Sequence, residues 1–377
     1  MGTCSSKDSS AAVPPQPVKP KQKSSNSGSS SSRPQAGSAS SSKAKLPSFN
    51  DSKSGDKFHT YYKLGPVIGA GAFSTVREGL YKPSNSRNAN YAIKIVSKTK
   101  LTKEDTDALF DEVEILKAMK HPNIIRLYDF FEEHNLYYLV MEKMSGGELF
   151  DRIVTRSYYN EKDARDLCKI LLEAMVHIHE SQIAHRDLKP ENLLLVSGDD
   201  DSIVKIADFG FAKRCPAGKK LKTQCGTPGY VAPEILMGVP YGTKADMWSI
   251  GVILYILLGG YPPFIENNQR DLFRKIKAGE YEFHKDYWDG VSKEAKVLIS
   301  SLLTVDPRRR LSARDALKNS WISQGDDTLA IKDLGVNLVE FRKFNAKRKL
   351  RAAVRAITIS NRFERRMGYQ SGSGGGL

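Results

Sequence analysis

Apolar residues recur along the chain with two different spacings. From Tyr62 to Val96 they alternate with polar residues in short runs around glycines, which predicts three strands joined by turns. Another strand is predicted over Asn135–Glu142. Between them, residues 103–120 have helical spacing, with four apolar residues on one face: Leu109, Val113, Leu116 and Met119. We therefore expect a small sheet accompanied by one long helix.

After Gly146 the apolar spacing becomes mostly helical. Helices are predicted over 148–155, 161–181, 243–258, 269–278, 292–303 and 313–322. The longest apolar run, Ile250–Leu258, is too short to span a bilayer and indicates a buried helix. The expected fold is α+β, with a small β-rich N-lobe, a larger helical C-lobe and a basic amphipathic segment over 337–366.

The composition changes at both ends of the chain. Residues 1–57 are rich in Ser, Lys and Pro with almost no aromatic residues, which predicts disorder because they can bury little apolar surface. We assign the main domain to 58–322, divided into lobes at 58–143 and 144–322. A separate C-terminal segment over 323–366 and a flexible Gly/Ser end over 367–377 follow it.

The formal net charge of +15 is concentrated at the two ends. Residues 1–57 carry +6 and residues 341–377 carry +9, so the body from 58 to 340 is formally neutral. A polyanionic partner is therefore expected only at the ends, and no nucleic-acid partner is expected for the body. Four cysteines without paired spacing fit a reducing intracellular compartment, with neither disulfides nor zinc. The polar first residues do not form a signal peptide.

Two short strings, HRDLKPEN at 185–192 and DFG at 208–210, contain the residue types that phosphoryl transfer requires. Asp187 can accept a hydroxyl proton, and Lys189 can neutralise charge on the moving phosphoryl group. Asn192 and Asp208 can hold Mg²⁺. Either string alone is a moderate signal, but their order and spacing indicate one catalytic site.

Two further features are typical of phosphate binding. Gly69 and Gly71 lie between strand-like runs, where backbone N–H groups can approach phosphates, although an ordinary glycine hairpin is the alternative. Lys94 is the one charge in an apolar strand and needs an anionic partner, which Glu112 or Glu114 on the next helix can supply. The alternative for Lys94 is a strand lysine that extends to solvent.

Taken in order, these motifs resemble those of eukaryotic protein kinases, and more narrowly the calcium/calmodulin-dependent serine/threonine kinases. The match runs from about Tyr61 to Trp321, with a further match in the tail to about Phe363. Besides the strings above, it includes AIK (92–94), HPNI (121–124), SGGELFDRI (145–153), GTPGYVAPE (226–234), DMWSIGVILY (246–255) and DPRRRLS (306–312). The resemblance implies a bilobal kinase fold that transfers the ATP γ-phosphate to Ser or Thr hydroxyls.

The resemblance also implies roles for individual residues. Lys94 would grip the α- and β-phosphates and pair with Glu112, which has the family spacing before HPNI. Thr227 would lie beside Asp187 and the substrate hydroxyl, Glu234 would pair with Arg310, and Asp246 would brace the catalytic loop. ATP contacts are implied for twelve residues, of which Asn192 and Asp208 would also bind Mg²⁺: Ile68, Gly69, Gly71, Val76, Ala92, Lys94, Met141, Glu142, Met144, Glu148, Asn192 and Asp208.

Substrate choice and activation depend on fewer residues. Glu148 resembles the carboxylate that binds an arginine three residues before the phosphoacceptor, and Glu191 can add to it, which predicts Arg-x-x-Ser/Thr substrates. The alternative for Glu148 is a helix-start carboxylate. Thr223 matches an activation-loop threonine that an upstream kinase phosphorylates, with Arg186 as the cation that pairs with the phosphate. Its alternative is an unmodified loop threonine.

The tail from 341 to 363 is basic, with apolar residues at helical intervals. It resembles the segment that blocks the active site in this group until Ca²⁺-loaded calmodulin removes it. Two anchor spacings of calmodulin ligands, 1-5-10 and 1-5-14, are present, and the candidate anchors are Leu350, Val354, Ile357, Ile359 and Phe363. The alternative is a basic helix on a membrane or docked permanently on the kinase.

Three absences qualify this resemblance. Asn337 stands where the multimeric members carry a regulatory threonine, so that form of autonomy is not expected, and no association domain follows, which favours a monomer. The chain also has no EF-hand loop, so Ca²⁺ sensing would come from a separate protein.

The first residues fit the pattern for myristoylation of Gly2, with Cys4 as a candidate for palmitoylation. The alternative is a chance Met-Gly start. With the basic segment that follows, these residues predict a cytoplasmic protein that can associate with a membrane.

Two other classes of function compete with a calmodulin-regulated kinase: a kinase-fold adaptor without catalysis that docks through its basic ends, and a polyanion-binding protein. The complete catalytic set argues against the first, and the neutral body argues against the second.

Overall fold

The computed structural model describes residues 57–71, 74–82, 90–198 and 203–368, with residues 90 and 355–368 described as backbone alone. The N-lobe contains an antiparallel five-stranded sheet in the order β1-β2-β3-β5-β4. Its elements are α1 (Phe58–Tyr61), β1 (Tyr62–Ala70), β2 (Ser74–Tyr81), β3 (Asn90–Ser97), a 3₁₀ turn (Lys98–Lys100), α2 (Lys103–Ala118), β4 (Leu127–Glu132) and β5 (Leu136–Glu142). The predicted strands and the long helix are confirmed.

Helix α2 is held at its start and along one face. Thr102 Oγ1 accepts a hydrogen bond from the Asp105 amide at 3.1 Å, and the Asp105 carboxylate accepts one from the Thr102 amide at 3.0 Å. The predicted apolar face of α2 is buried in one core cluster with Val96 and Leu139 of the sheet. These two attachments fix where α2 presents its remaining side chains to β3.

A second core cluster belongs to the N-lobe and is largely aromatic. Phe58 of α1 stacks on Tyr138 with ring centroids 4.2 Å apart, and the Tyr62 hydroxyl donates to Asp129. The other aromatic members of the cluster are Tyr91, Tyr128 and Phe131. The residues just before the sheet are therefore part of the packed lobe.

The C-lobe is mainly helical. Its helices are α3 (Leu149–Thr155), α4 (Glu161–Glu180), α5 (Pro233–Leu236), α6 (Lys244–Gly259), α7 (Gln269–Ala278), α8 (Lys285–Trp288), α9 (Lys293–Leu302), α10 (Ala313–Ala316), α11 (Asp326–Ala330) and α12 (Gly335–Gly368). Four short strands form two antiparallel pairs, β6 (Ile183–Ala184) with β9 (Lys213–Arg214) and β7 (Leu193–Leu195) with β8 (Val204–Ile206). These pairs hold the ends of the segment that contains HRDLKPEN.

Most of the predicted helices of this lobe are confirmed, and one is wrong in length. The run Ile250–Leu258 lies inside α6 and is buried throughout. The helix predicted over 313–322 ends at Ala316 because Asn319 Oδ1 instead accepts from the Trp321 amide at 2.9 Å, which favours a turn. Across the described residues, no helix combines the length and apolar character needed to cross a membrane.

Helix α12 begins inside the core of the C-lobe. Leu338 and Phe341 are buried, and the Phe341 ring meets Phe150 of α3 with centroids 4.8 Å apart. The buried Asn337 amide donates to the carbonyls of Leu258 at 2.5 Å and Tyr287 at 2.8 Å. The first two turns of α12 are thus attached to the lobe by both apolar and polar contacts, and the boundary at 322 stays a prediction.

Candidate active site

The segment with HRDLKPEN is fixed from below by one buried carboxylate. Asp246, in the first turn of α6, accepts hydrogen bonds from the amides of His185 at 2.9 Å and Arg186 at 2.8 Å. His179 Nε2 lies 2.9 Å from the same carboxylate. Burial alone would raise the pKa of Asp246, but these bonds outweigh it and hold the pKa below its ordinary value. Asp246 therefore braces the catalytic loop as an anion.

Around Asp187 the structure brings together four residues of the predicted catalytic set. Asp187 is buried, and its Oδ1 accepts a hydrogen bond from Thr227 Oγ1 at 2.6 Å. Lys189 Nζ contacts the other carboxylate oxygen and lies 3.3 Å from the Thr227 hydroxyl. Asn192 Nδ2 donates to the Asp187 carbonyl at 2.8 Å. One carboxylate, one cation and one hydroxyl thus meet at a single point of the candidate active site.

Two residues of this site have a left-handed backbone conformation, which residues other than glycine rarely adopt. Arg186 and Asp208 have φ values of 70° and 61°, and neither is glycine. Such conformations cost roughly 1–3 kcal/mol each and persist only where the surroundings enforce them. The Asp246 carboxylate holds Arg186 through its amide. Asp208 is followed by Phe209, which is buried and whose ring centroid lies 4.8 Å from that of His185.

The candidate metal ligands lie at neighbouring ends of β7 and β8. Because these strands are antiparallel, Asn192 before β7 comes beside the end of β8, and the Ala207 amide donates to its carbonyl at 2.9 Å. Asn192 uses its amide nitrogen on Asp187, which leaves the oxygen Oδ1 as its ligand atom. The exposed carboxylate of Asp208 is the second candidate ligand. Two oxygen donors of this kind fit Mg²⁺.

Lys94 is paired with Glu112, not with Glu114. Lys94 Nζ lies 2.9 and 2.8 Å from the two carboxylate oxygens of Glu112, which is buried on α2. Glu114 points outward and pairs with Lys117 at 3.3 Å. The lysine therefore has a bidentate carboxylate partner, and its ammonium group is held at a fixed position under the sheet.

The register of the sheet lines up the remaining candidates for ATP contact. Val76 of β2 lies opposite both Gly69 of β1 and Lys94 of β3, and Ala92 lies opposite Met141 of β5. Ile68, which precedes Gly69 on β1, is 45% exposed. The Gly71 amide closes the turn between β1 and β2 by donating to the Ser74 carbonyl at 2.8 Å. Glu142 ends β5, and Met144 follows it in the connection between the lobes.

The carboxylates expected to bind a substrate arginine are instead paired with residues of α12. Arg348 is buried, and its Nη1 lies 2.7 Å from Glu148 Oε2 and 3.1 Å from Glu191 Oε1. Lys349 Nζ lies 2.8 Å from Glu148 Oε1 and 2.6 Å from Asp151 Oδ2. The chain's own basic pair thus occupies this acidic pocket.

Sequence reasoning missed two residues of this contact. Asp151 contributes to the acidic pocket, and its position three residues after Glu148 on the predicted helix was the signal that could have shown it. The buried Asn345 donates to Asp151 at 2.9 Å and accepts from Arg348 Nη2 at 2.7 Å, so it orients the guanidinium. No sequence pattern marks Asn345, because its role depends on a helix 194 residues away.

The remaining predicted positions are Thr223, the candidate calmodulin anchors and the candidate lipidation sites, and only some of their side chains are described. Thr223 has an exposed side chain in the activation segment, the stretch from DFG to GTPGYVAPE (208–234). Leu350 and Val354 are 66% and 54% exposed on α12. The side chains of Ile357, Ile359 and Phe363, and the candidate lipidation sites Gly2 and Cys4, lie outside the described residues.

One predicted pair is purely structural. Arg310 Nη1 and Nη2 lie 2.7 and 2.9 Å from the two carboxylate oxygens of Glu234, and both side chains are buried. Arg310 also donates to the carbonyl of Thr304 at 2.9 Å. The pair ties the segment after Thr227 to the base of the C-lobe.

The fold combines a sheet that contains a glycine turn with a helical lobe. A lysine paired with a glutamate lies on the sheet, and the aspartate of the catalytic loop lies in the helical lobe. This combination defines the protein kinase class. A family model described as "Protein kinase domain" matches residues 62–322. The chain therefore belongs to the protein kinase family, a family that uses ATP and Mg²⁺.

Individual relatives narrow this further. The chain is 43% identical to calcium/calmodulin-dependent protein kinase type 1 of Macrobrachium nipponense over 84% of its own length and 88% of the relative's. It is 45% identical to a probable myosin light chain kinase of Dictyostelium discoideum, over 75% and 71% of the two lengths. It is 43% identical to the type II delta subunit of Oryctolagus cuniculus over 81% of its length, but spans only 57% of that relative. Within protein kinases, the chain is thus a member of the calcium/calmodulin-dependent group of serine/threonine kinases.

Proposed function

We propose that this protein is a calmodulin-regulated serine/threonine kinase that is held inactive by its own helix α12. The observation that carries the proposal is the burial of Arg348 between Glu148 and Glu191, the two carboxylates expected to bind the arginine of a substrate. A guanidinium that occupies this pocket competes directly with an Arg-x-x-Ser/Thr peptide. The preference for that peptide has the same physical basis, because paired carboxylates match a guanidinium.

In the catalytic step, Asp187 accepts the proton of the substrate hydroxyl while Lys189 neutralises charge near the phosphoryl group. Thr227 holds the Asp187 carboxylate in orientation through its 2.6 Å hydrogen bond. Lys94, held by Glu112, grips the nucleotide phosphates. When bound at Asn192 and Asp208, Mg²⁺ supplies positive charge to the phosphates of ATP.

The block extends beyond the arginine pocket. A cavity of about 340 Å³ separates residues 227–230 of the activation segment from α12, whose Phe344, Arg348 and Arg351 line it. Arg342 of α12 also donates to the carbonyls of Val154 at 2.9 Å and Arg156 at 2.8 Å, at the end of α3. A peptide whose arginine enters the acidic pocket would therefore have to displace Arg348 and the part of α12 that carries it.

Calmodulin is the proposed releasing partner because α12 offers it an exposed surface. Leu350 and Val354 have the 1-5 spacing of two anchors and are exposed while the basic residues of the same helix remain paired. Calmodulin can therefore make its first contacts without prior opening of the cleft. Bound calmodulin would then draw Arg348 and Lys349 away from the acidic pocket.

Further proposals follow from the sequence. Phosphorylation of Thr223 by an upstream kinase raises activity, because the phosphate can pair with Arg186. The protein acts as a cytoplasmic monomer on protein substrates, and acylation at Gly2, with or without Cys4, brings it to the membrane surface.

The test is phosphorylation of an Arg-x-x-Ser peptide by the full-length protein, with and without Ca²⁺/calmodulin. Substitution Arg348→Ala is expected to raise activity without calmodulin by about tenfold or more, because it removes the buried ion pairs with Glu148 and Glu191 that hold α12 in the acidic pocket. Calmodulin is then expected to add little. Lys347→Ala is the control, since it removes an exposed positive charge one residue away.

Three other outcomes would each change the proposal. Equal calmodulin dependence of Arg348→Ala and the unmodified chain would exclude the arginine block. Activity that Ca²⁺/calmodulin does not raise in the unmodified chain would exclude calmodulin as the releasing partner. Peptide phosphorylation that persists in Asp187→Asn would exclude the catalytic assignment, and no transfer under any condition would favour the kinase-fold adaptor.

A further inference from the structure

The hydroxyl of Tyr241 lies at a junction between the activation segment and the catalytic loop. Tyr241 is buried, and its Oη donates a hydrogen bond to the Thr223 carbonyl at 2.7 Å. The same oxygen accepts a hydrogen bond from Arg186 Nη1 at 3.2 Å. Arg186 in turn donates through Nε to the Phe211 carbonyl at 2.6 Å. A continuous chain of hydrogen bonds thus joins Thr223 to the residue before Asp187 and to the residue after the DFG motif.

The backbone on either side of Tyr241 is also fixed. Tyr241 and Leu221 exchange two backbone hydrogen bonds of 2.9 Å each. Five residues later, Asp246 on α6 accepts the amides of His185 and Arg186. One short stretch of chain therefore supports the activation segment through Tyr241 and the catalytic loop through Asp246.

The position of Thr223 bears on catalysis through the residues that follow it. Gly226 has φ 111°, and a Cβ placed there would lie 2.9 Å from the Arg186 carbonyl, so the two backbones are in close contact. Thr227 comes next and donates to Asp187. A shift of the segment at Thr223 would therefore move the hydroxyl that orients the catalytic carboxylate.

We propose that Tyr241 is a positioning residue, whose hydroxyl aligns the unphosphorylated activation segment on Arg186 and so supports catalysis before Thr223 is phosphorylated. This inference rests on the kinase function proposed above. A phosphate on Thr223 carries close to two negative charges and can pair with Arg186 directly, which makes the hydroxyl dispensable. Burial raises the pKa of Tyr241 to about 12, against the lowering effect of Arg186, so the group remains a donor near neutral pH.

The test compares the full-length protein and Tyr241→Phe, each with threonine or genetically encoded phosphothreonine at 223. Peptide phosphorylation is measured with saturating Ca²⁺/calmodulin. Without phosphate, Tyr241→Phe is expected to lower kcat about three- to tenfold, the range expected for one buried hydrogen bond, with less than about a twofold change in the KM for ATP. With phosphothreonine, the two proteins are expected to have the same kcat.

Tyr255→Phe is the matched control, because it removes a buried hydroxyl of α6 that donates to the Glu282 carbonyl at 2.5 Å and lies 3.0 Å from the Tyr261 hydroxyl, neither of which belongs to this junction. It is expected to leave the response to phosphothreonine unchanged. An equal loss of kcat in both forms of Tyr241→Phe would show a merely structural role, and no loss without phosphate would also overturn the inference.

A second readout does not require activity. Hydrogen exchange of the amides at 221–226 is expected to speed up in unphosphorylated Tyr241→Phe and to stay slow with phosphothreonine. If the unmodified chain transfers no phosphate, the proposed function fails, yet exchange still decides whether Tyr241 holds the segment. Unchanged exchange in Tyr241→Phe would refute that role.

Discussion

A charge inside a protein is stable only while its partner is present, and the buried pair of Glu234 and Arg310 depends on this condition. Substitution Glu234→Ala leaves a guanidinium that is 1% exposed without its carboxylate. We expect this to lower the free energy of unfolding by ~3–5 kcal/mol, as for other buried pairs that lose one partner. Denaturant unfolding of the full chain measures the loss.

A second variant breaks an exposed ion pair and so shows how much of the loss is due to burial. Asp306→Ala removes a carboxylate that pairs with the exposed Arg308 at 3.1 Å and accepts its backbone amide at 2.9 Å, and it is expected to lower the free energy of unfolding much less than Glu234→Ala does. Similar losses for Glu234→Ala and Asp306→Ala would contradict the importance of burial at Arg310.

At the scale of single residues, the sequence predicted those positions whose chemistry depends on residue type within a short motif. Asp187, Lys189, Asn192 and Thr227 meet in the structure because one string, HRDLKPEN, and one loop carry them. The choice of Glu112 over Glu114 as the partner of Lys94 depended on the family spacing before HPNI. Tyr241 and Asn345 could not be predicted, since each acts through partners that come close only in the folded chain.

At the scale of elements, helical periodicity was sufficient for α2 and α4, because one face of each is buried, and the apolar run was sufficient for α6, which is buried on all sides. Periodicity predicted four of the five strands of the N-lobe sheet and missed β4. It overestimated α10, where a side chain of Asn319 competes with the helical hydrogen bonds. It also gave no sign that α12 has two parts. The first part, through Phe341, belongs to the core, whereas the second contacts the acidic pocket through Asn345, Arg348 and Lys349.

This division predicts that two truncations of α12 differ in stability. A chain that ends after Phe344 keeps Leu338 and Phe341 buried, but loses Arg348. A chain that ends after Leu334 also loses those two core side chains, each of which contributes ~1.5–3 kcal/mol, and the Asn337 hydrogen bonds. We expect both to phosphorylate peptide without calmodulin, and only the shorter chain to unfold at a clearly lower temperature. Equal melting temperatures would show that the start of α12 is not part of the core.

At the scale of the whole molecule, the neutral body stands between two basic ends with different proposed tasks. The C-terminal end is partly described, and two of its charges, on Arg348 and Lys349, are paired with Glu148, Asp151 and Glu191 of the catalytic lobe. Composition showed where the charge is, but only the fold shows that part of it is already neutralised. The N-terminal +6 segment is the proposed site of attraction to anionic lipid.

Membrane association of the whole chain can be tested by sedimentation with vesicles. One acyl chain binds a bilayer only marginally, so Gly2-acylated protein is expected to sediment with vesicles that contain phosphatidylserine and much less with neutral vesicles. High salt should weaken the binding, because it screens the basic segment. Gly2→Ala, which cannot be acylated, should lose most of it, whereas Thr3→Ala is the neighbouring control. Equal sedimentation of Gly2→Ala and the acylated protein would show that charge alone attracts the chain and that acylation is not required.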